Sequence, residues 1–315
     1  MEDDYTCSLD EKSIKKAKDE LNEIPSDRLA AVQALREWVN DQKHLRIDTN
    51  TGNLLRFLRH AKFSQAKARE TIENVLKFFG KNLQFIADID THDKKLQEVL
   101  KLGQIVVLPG YDDEGRRIIL YRLTAITPSE IKKKWSPELL IRSWNATFLS
   151  MMSDEICQVN GILIFADMTG LSLKLIAGLS DPVMMKYHKE AQNAQVGRMK
   201  GFHYYNVGGL FEAFFALYKP YMKQKHRERI RVHETLESVY EVIPKRMLPL
   251  EYLPDDYSGP NAGTIEKIID DQLKVLVSER DQILQKTNRR TLFYDETLKP
   301  KTEEPLQHFR KLNVD

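Results

Sequence analysis

An α/β fold with a mainly parallel sheet, preceded by an all-α helical lobe, is the architecture this sequence predicts, on three observations. From about Ser8 to Lys81 the apolar residues recur at helical spacing, with no strand-like alternation. From Gln104 onward, short apolar runs alternate with helical stretches, the order that builds parallel strands with helices packed against them. One of those runs, GILIFAD from Gly161 to Asp167, is apolar almost throughout, as a strand buried on both faces must be.

Taken in order, Ser26 and Asp27 offer an N-cap to a helix carrying Leu29, Val32, Leu35, Trp38 and Val39 on one side. Thr51-Gly52-Asn53 leads into LLRFLRHAKF, with Leu54, Leu55 and Leu58 inward and Arg56, Arg59 and Lys62 elsewhere; Ser64 caps the next helix, with Ala68, Ile72, Val75, Leu76 and Phe79. QIVVLPG, an Asp-Asp-Glu-Gly turn and RRIILYRL then read as a hairpin or two neighbouring strands. Ser136-Pro137-Glu138 starts a long helix reaching about Val159, with Ile141, Trp144, Phe148 and Met152 as inward candidates. After GILIFAD, the loop MTGLSLKL and the cap Ser180-Asp181-Pro182 lead to a helix around Met184 to Ala194. MKGFHYYN is a further strand and RIRVHE a short last one. A Pro/Gly-rich stretch precedes one more amphipathic helix, with Ile265, Ile269, Leu273 and Leu276 on a face, and the tail from Lys299 is polar. The division expected is 1–90 for the helical lobe, 91–260 for the α/β domain, and 261–315 for a C-terminal helix and tail.

The chain has 315 residues, 42% of them hydrophobic and 30% charged, which suits a folded body with a full-sized core. Its 48 basic and 46 acidic side chains nearly cancel, so nothing global points to nucleic acid, and an anionic partner would have to meet a local patch. Cys7 and Cys157 make neither a disulfide framework nor a metal-ligand spacing, which fits a reducing compartment. MEDDYTCSLDEK is acidic and lacks the apolar segment of a secretory signal, and no run approaches the roughly 18 apolar residues of a membrane span. The expectation is a monomeric cytoplasmic protein whose membrane contact is peripheral. The eight histidines include no His-Glu-x-x-His pair, and Gly103 and Gly110 do not frame a phosphate loop. His203, Asn206, Ser172 and Cys157 assemble no nucleophile with its base and orienter, so they read as structural. No catalytic residue, metal or cofactor is implied.

The most unusual stretch is Gly208 to His233, where an apolar helix runs straight into a cationic segment. Leu210, Phe214 and Leu217 form one stripe at about 100° per residue, and Phe211, Phe215, Tyr218 and Met222 form a second beside it. The arc is wider than an ordinary surface helix shows to its core, and fits either a buried core helix or a lid between a lipid cavity and a membrane. The cations Lys219, Lys223, Lys225, Arg227, Arg229 and Arg231 that follow fit either a solvated face or an anion site.

LLRFLRHAKFSQAKARETIENVLKFF, GILIFADMTGLSL, GFHYYN and LYKPYMKQKHRERIRVH, in that order, resemble the motifs of the CRAL-TRIO family of lipid-binding proteins, and the matching motifs run from Leu9 to Tyr252. The resemblance implies a sheet flooring a closed apolar cavity, with a mobile gate helix over its mouth at the stretch just described. The family's cavity positions fall on Ile141, Trp144 and Phe148, on Ile162, Ile164 and Ala166, on Tyr187, Phe202 and Tyr204, and on Phe211, Phe215 and Tyr218 of the gate. In tocopherol-transfer and clavesin-like members, positions matching Arg59, Arg198, Lys200, Lys225 and Arg229 form a phosphoinositide headgroup cleft. Leu210, Phe214 and Leu217 would then face the membrane, with Leu173 as a second wedge; Asn206 would cap the gate helix and Asp167 would tie down its loop. Two stretches depart from the family pattern: Gln195 to Lys200 lacks the usual aromatic-Pro pair, and Glu251-Tyr252-Leu253-Pro254 replaces a Glu-Tyr-Gly-Gly ending. The function implied is cytosolic carriage of a small tocopherol-, retinoid- or carotenoid-like lipid, released at phosphoinositide-bearing endosomal or other anionic membranes. The alternatives are a membrane-recruited regulatory or adaptor module and a phospholipid transfer protein.

Overall fold

A computed structural model describes residues 5–191 and 194–300. Four helices form the N-terminal lobe: Glu11–Leu21, Arg28–Asp41, Thr51–His60 and Gln65–Lys81. Asp10, Asn50 and Ser64 cap three of them, each side chain accepting from the amide three residues on. Asp27 occupies the cap position of the second helix without a side-chain hydrogen bond. The lobe's core is Leu35, Leu54, Leu55, Phe57, Leu58, Ile72 and Leu76. Leu29, read as inward, is 55% exposed, because the apolar stripe of its helix is centred on Val32, Leu35 and Val39.

The sheet has five strands in sequential order: β2 (Ile105–Val107), β3 (Arg117–Arg122), β4 (Ile162–Asp167), β5 (Met199–Tyr205) and β6 (Ile230–His233). The first pair is an antiparallel hairpin, whose turn Asp112 closes by accepting from the amides of Glu114 and Arg116. All the other pairs are parallel, and Ile164 stands between Ile119 and Phe202. Gly161 launches β4 at φ +92°, and a Cβ there would stand 2.4 Å from the Arg198 carbonyl oxygen, so no other residue fits this approach.

One face of the sheet is filled. Ile118, Leu120, Leu163 and Phe165 pack under Val239, Ile243, Leu248, Tyr252, Ile265 and Ile268. At the edge of that face, the His203 and His233 rings meet at 2.9 Å, and His233 reaches Ser238 at 3.0 Å. Burial, then His233, pushes His203 down to about 4, which makes it a neutral core residue.

The long helix stops at Met151 rather than about Val159, because Asp154 accepts from the Ile156 amide and so caps a separate helix, Glu155–Asn160. Leu173, read as part of a loop, opens a helix, Leu173–Leu179, capped by Ser172. The C-terminal region holds a second helix, Arg280–Thr287, after Ile265–Ser278, then β7 (Phe293–Tyr294), which pairs antiparallel with β1 (Leu45–Arg46) of the lobe, and a 3-10 turn, Glu296–Leu298. Leu276 and Ile283 pack with Ile89, Leu96, Leu100 and Ala146, so this region straps lobe and sheet domain together. The polar tail expected from Lys299 lies, from residue 301 on, outside the described residues.

The joint between the two parts is a buried ion cluster. Arg59, 1% exposed, donates twice to Glu23 at 2.9 Å, to Glu155 at 3.0 Å and to Gln158 at 2.8 Å. Glu23 also takes Arg28 at 2.6 Å, and Glu155 takes Ser8 and Tyr5. The placement of Arg59 in a headgroup cleft is therefore corrected: its guanidinium is consumed inside the protein, where no membrane lipid reaches it. Arg59→Ala, which strands two buried carboxylates, is expected to cost about 3–5 kcal/mol in denaturant unfolding. Unchanged stability with selectively weaker vesicle binding would restore Arg59 to the headgroup site.

Candidate functional site: an aromatic space under a short helix

The second face of the sheet is closed at both ends and open in the middle. At one end Ile162, buried completely, packs with Met151, Met152, Cys157 and Met199. At the other, Ala166 joins Trp135, Leu140, Leu175, Leu179, Phe211 and Phe214. Between them Ile164, in the middle of the central strand, stays half-buried, although a residue there should be sealed on both sides. Its neighbours across the sheet and around it, Phe202, Tyr204 and Phe148, are also half-buried, as are Phe215 and Tyr218 of the overlying helix. Trp144, one turn before Phe148 on the same helix, is half-buried too.

The tyrosines show how deep this open surface lies. Burial raises the hydroxyl of Tyr204 to about 12, and burial with Tyr204 nearby does the same to Tyr218. Tyr121 is raised as well, by burial and then by Tyr218 and Tyr204; it stands across Ala166 from Tyr204 in the sheet and takes a 3.1 Å bond from Gln104, while the Tyr218 hydroxyl donates to the Leu179 carbonyl at 3.5 Å. His188 lies against Tyr218 at 5.8 Å, and burial pushes it down to about 4. These groups are far from bulk water, and yet Tyr204, Tyr218 and His188 keep part of their surface open, as groups lining an interior space do.

The structure divides the expected cavity residues. Trp144, Phe148, Ile164, Phe202, Tyr204, Phe215 and Tyr218 keep open surface. Ile141 and Tyr187 do not: they pack with Phe78, Phe85, Ile86 and Met184 where the lobe meets the long helix, and the Tyr187 hydroxyl donates to Asn145 at 2.7 Å. Ile162, Ala166 and Phe211 are likewise closed off by their neighbours. Tyr121 and His188 are additions; the alternation of β3, which sets Ile119 and Tyr121 on the face of Ile164 and Ala166, was the signal for the first.

The overlying helix is Phe211–Tyr218, continued by a 3-10 turn, Lys219–Tyr221. Both of its apolar stripes turn inward. Phe211 stacks on Phe215 at 5.6 Å and meets Tyr204 at 5.2 Å. Phe214, 8% exposed, packs with Leu175 and Leu179 and is covered with the helix in this position; Leu210 and Leu217 are half-buried. The outward side is Glu212, Ala213, Ala216 and Lys219. Leu173 is 67% exposed beside this helix. Asn206 does not cap it: Leu210 holds that position without a side-chain bond, and Asn206 donates to Thr169 at 2.9 Å. Asp167 does secure its loop, accepting from the Thr169 amide and from the Tyr252 hydroxyl. Gly208, at φ +59° with open space about it, leaves the start of the helix weakly anchored.

The cations lie next along the chain. Lys223, Lys225, Arg227, Arg229 and Arg231 are exposed. Lys225 has no hydrogen bond or ion pair with any described residue. Burial, then Lys225 and Lys223, drive His60 of the lobe down to about 4, and His60 accepts from the Gly197 amide at 3.1 Å. Arg198 and Lys200 are already engaged: both bind Glu20, the lysine at 3.3 Å, and although partial burial works the other way, the two cations hold Glu20 down to about 2. Arg229 donates to the Met199 carbonyl.

Among the described residues no helix is long and apolar enough to cross a membrane. The profile of the CRAL/TRIO domain matches residues 101–252, which holds the sheet, the open face and the helix above it. The α-tocopherol transfer protein-like proteins of Mus musculus and Homo sapiens are 31% and 32% identical over 264 residues, covering 83% of this chain and 74% of each relative. Clavesin-1 of Rattus norvegicus is 27% identical over 264 residues, 82% of this chain and 73% of its own. With the sheet, the half-open central strand and these relatives together, the chain belongs to the CRAL-TRIO family of lipid-binding proteins.

Proposed function

We propose that this protein binds one small hydrophobic lipid between its sheet and the helix Phe211–Tyr218, and transfers it between membranes, releasing it at phosphoinositide-bearing surfaces. The observation that carries the reading is the half-open Ile164 at the centre of the sheet, beneath an aromatic lid. A lipid there gains roughly 25 cal/mol for each Å2 of apolar surface it buries. The hydroxyls of Tyr121 and Tyr204, which flank Ala166 in the sheet register, offer its polar end a hydrogen bond. A cargo of the tocopherol, retinoid or carotenoid kind, apolar with one hydroxyl or carbonyl, suits both features, and the tocopherol transfer protein-like relatives support that class. The protein would work in the cytoplasm, as a monomer, and visit endosomal or other anionic membranes transiently.

The short helix would serve as the gate. Swinging about Gly208 and Gly209, it would carry Phe214, Leu217 and Leu210 out to join the exposed Leu173 in the membrane interface. Lys225 and Lys223, with Arg229, would meet the headgroup first; Arg198 and Lys200 would follow by exchanging the Glu20 carboxylate for phosphate. Glu20 thus occupies, in the free protein, the place of the lipid's anion.

Mass spectrometry of lipid extracted from the purified chain tests the reading: one unchanged lipid per chain that moves between vesicles is expected. Vesicle binding with no cargo and no transfer would instead favour the regulatory or adaptor alternative. Lys225→Ala with Arg229→Ala should weaken binding to phosphoinositide vesicles and slow transfer, with cargo affinity nearly intact. Glu20→Gln should act oppositely, tightening vesicle binding by up to about fivefold through release of Arg198 and Lys200; a loss in that variant would refute the exchange. Phe214→Ala removes much of the packing that holds the helix down, and stopped-flow measurement of cargo release should show faster release, while an unchanged rate would mean the helix is not the gate.

A further inference from the structure

The first turn of helix Thr51–His60, the break after Met151 and the C-terminal helix Arg280–Thr287 enclose a cavity of about 350 Å3 that shares no residue with the aromatic space or the basic edge. Its wall is polar apart from Met152, and its charged groups are two cations, Arg56 and Lys286, and one carboxylate, Asp48. The guanidinium of Arg56 makes no hydrogen bond to any described residue: its Nε is sealed from solvent without an acceptor, it lies 4.9 Å from the Phe57 ring, and Asp48 is the carboxylate whose charge it feels. Asp48 in turn already accepts from the Asn50 amide and side chain. Lys286 spends one donor on Ser153 at 2.6 Å and feels the carboxylates of Glu279 and Asp48 only at a distance, with no ion pair to either.

Two cations so placed repel each other. Burial, then Arg56, brings Lys286 down to about 8, and burial brings Arg56 down to about 10 against the pull of Asp48. The first turn of the helix, with Gly52 on the cavity wall, adds the partial positive charge of a helix start. A half-buried guanidinium without an acceptor is costly unless an anion supplies one. We propose that this cavity binds a tetrahedral oxyanion, the free ion or the phosphoryl end of a small monoester, between Arg56 and Lys286 at the first turn of helix Thr51–His60. The volume admits such a group with a small organic substituent. Because its walls come from the lobe, the helix break and the C-terminal strap, the bound ion ties these three together.

Calorimetric titration of the full chain with sulfate and with glycerol 3-phosphate, in chloride buffer, tests the site. One ion per chain is expected, with affinity roughly tenfold to a hundredfold lower in Lys286→Gln, the loss of one charge-assisted hydrogen bond. Lys274→Gln, exposed on helix Ile265–Ser278, should leave it unchanged. Sulfate keeps its charge from pH 7 to 9, so its affinity should fall across that range as Lys286 loses its proton. Vesicles containing phosphatidic acid separate the sources: weaker sedimentation of Lys286→Gln with them identifies a lipid phosphate, and a loss confined to glycerol 3-phosphate identifies a soluble one. The proposal is overturned if the wild-type chain binds neither probe at millimolar concentration, or if folded Lys286→Gln and Arg56→Gln bind both as tightly as wild type. Should Arg56→Gln fail to fold, Lys286→Gln decides.

Discussion

Arg59 is a cation taken wholly out of water, and the relation between the two parts of this protein depends on how that charge is satisfied. Desolvating a guanidinium and two carboxylates is expensive, and the expense is recovered only if the donors and acceptors meet in good geometry. Here three of the four hydrogen bonds from Arg59 go to Glu23 and Glu155, residues 36 positions before it and 96 after it. The cluster therefore specifies one docking of lobe on sheet domain, because any other would leave charges buried and unpaired. β7 on β1 repeats the constraint from the C-terminal side with backbone hydrogen bonds. With lobe and sheet domain joined twice, neither joint depends on the helix Phe211–Tyr218.

The gate is the opposite case. An eight-residue helix without a side-chain N-cap contributes little stability of its own. It is held by the aromatic contacts beneath it, and these are the contacts a bound lipid would share. A cargo-loaded protein would thus be closed by the cargo, and an interface that competes for Phe214 and Leu217 would open it. The same arrangement explains why the wide apolar arc can be closed in the free protein without a contradiction: a short helix lying in a groove is covered on three sides, and leaves only Glu212, Ala213, Ala216 and Lys219 outward.

Much of the fold was legible because period and composition carry it. GILIFAD reads as a central strand from its lack of alternation, and the Asp-Asp-Glu-Gly turn reads as a hairpin from its chemistry. The cap at Asp154 was missed since the apolar pattern continues through it, and only the local competition of an Asp side chain for the Ile156 amide ends the helix. The site was less legible. Ile141 and Phe148 share a helix and an apolar character, but one packs on the lobe and the other stays half-open over the sheet; that difference depends on where Phe78 and Phe85 come to rest, which spacing within one helix does not encode. Arg59 and Lys225 are both basic residues in family motifs, and one is buried only because Glu23 and Glu155 arrive from distant segments.

The two faces of the sheet explain why this fold can hold a lipid at all. Along β4, Leu163 and Phe165 point to one side and Ile162, Ile164 and Ala166 to the other. On the first side the chain after β6 folds back and fills the space with Val239, Ile243, Leu248 and Tyr252, so that face supplies the stability. The other side is sealed only at its ends, by methionines near Ile162 and by the gate cluster near Ala166. A sheet stabilised from one side can leave the middle of its other side unfilled, because the interior contacts absent there are recovered elsewhere. The unfilled part lies at Ile164, between the methionine end and the helix Phe211–Tyr218; with that helix as the gate, a ligand would enter at its end, and the basic residues follow directly after it in the chain.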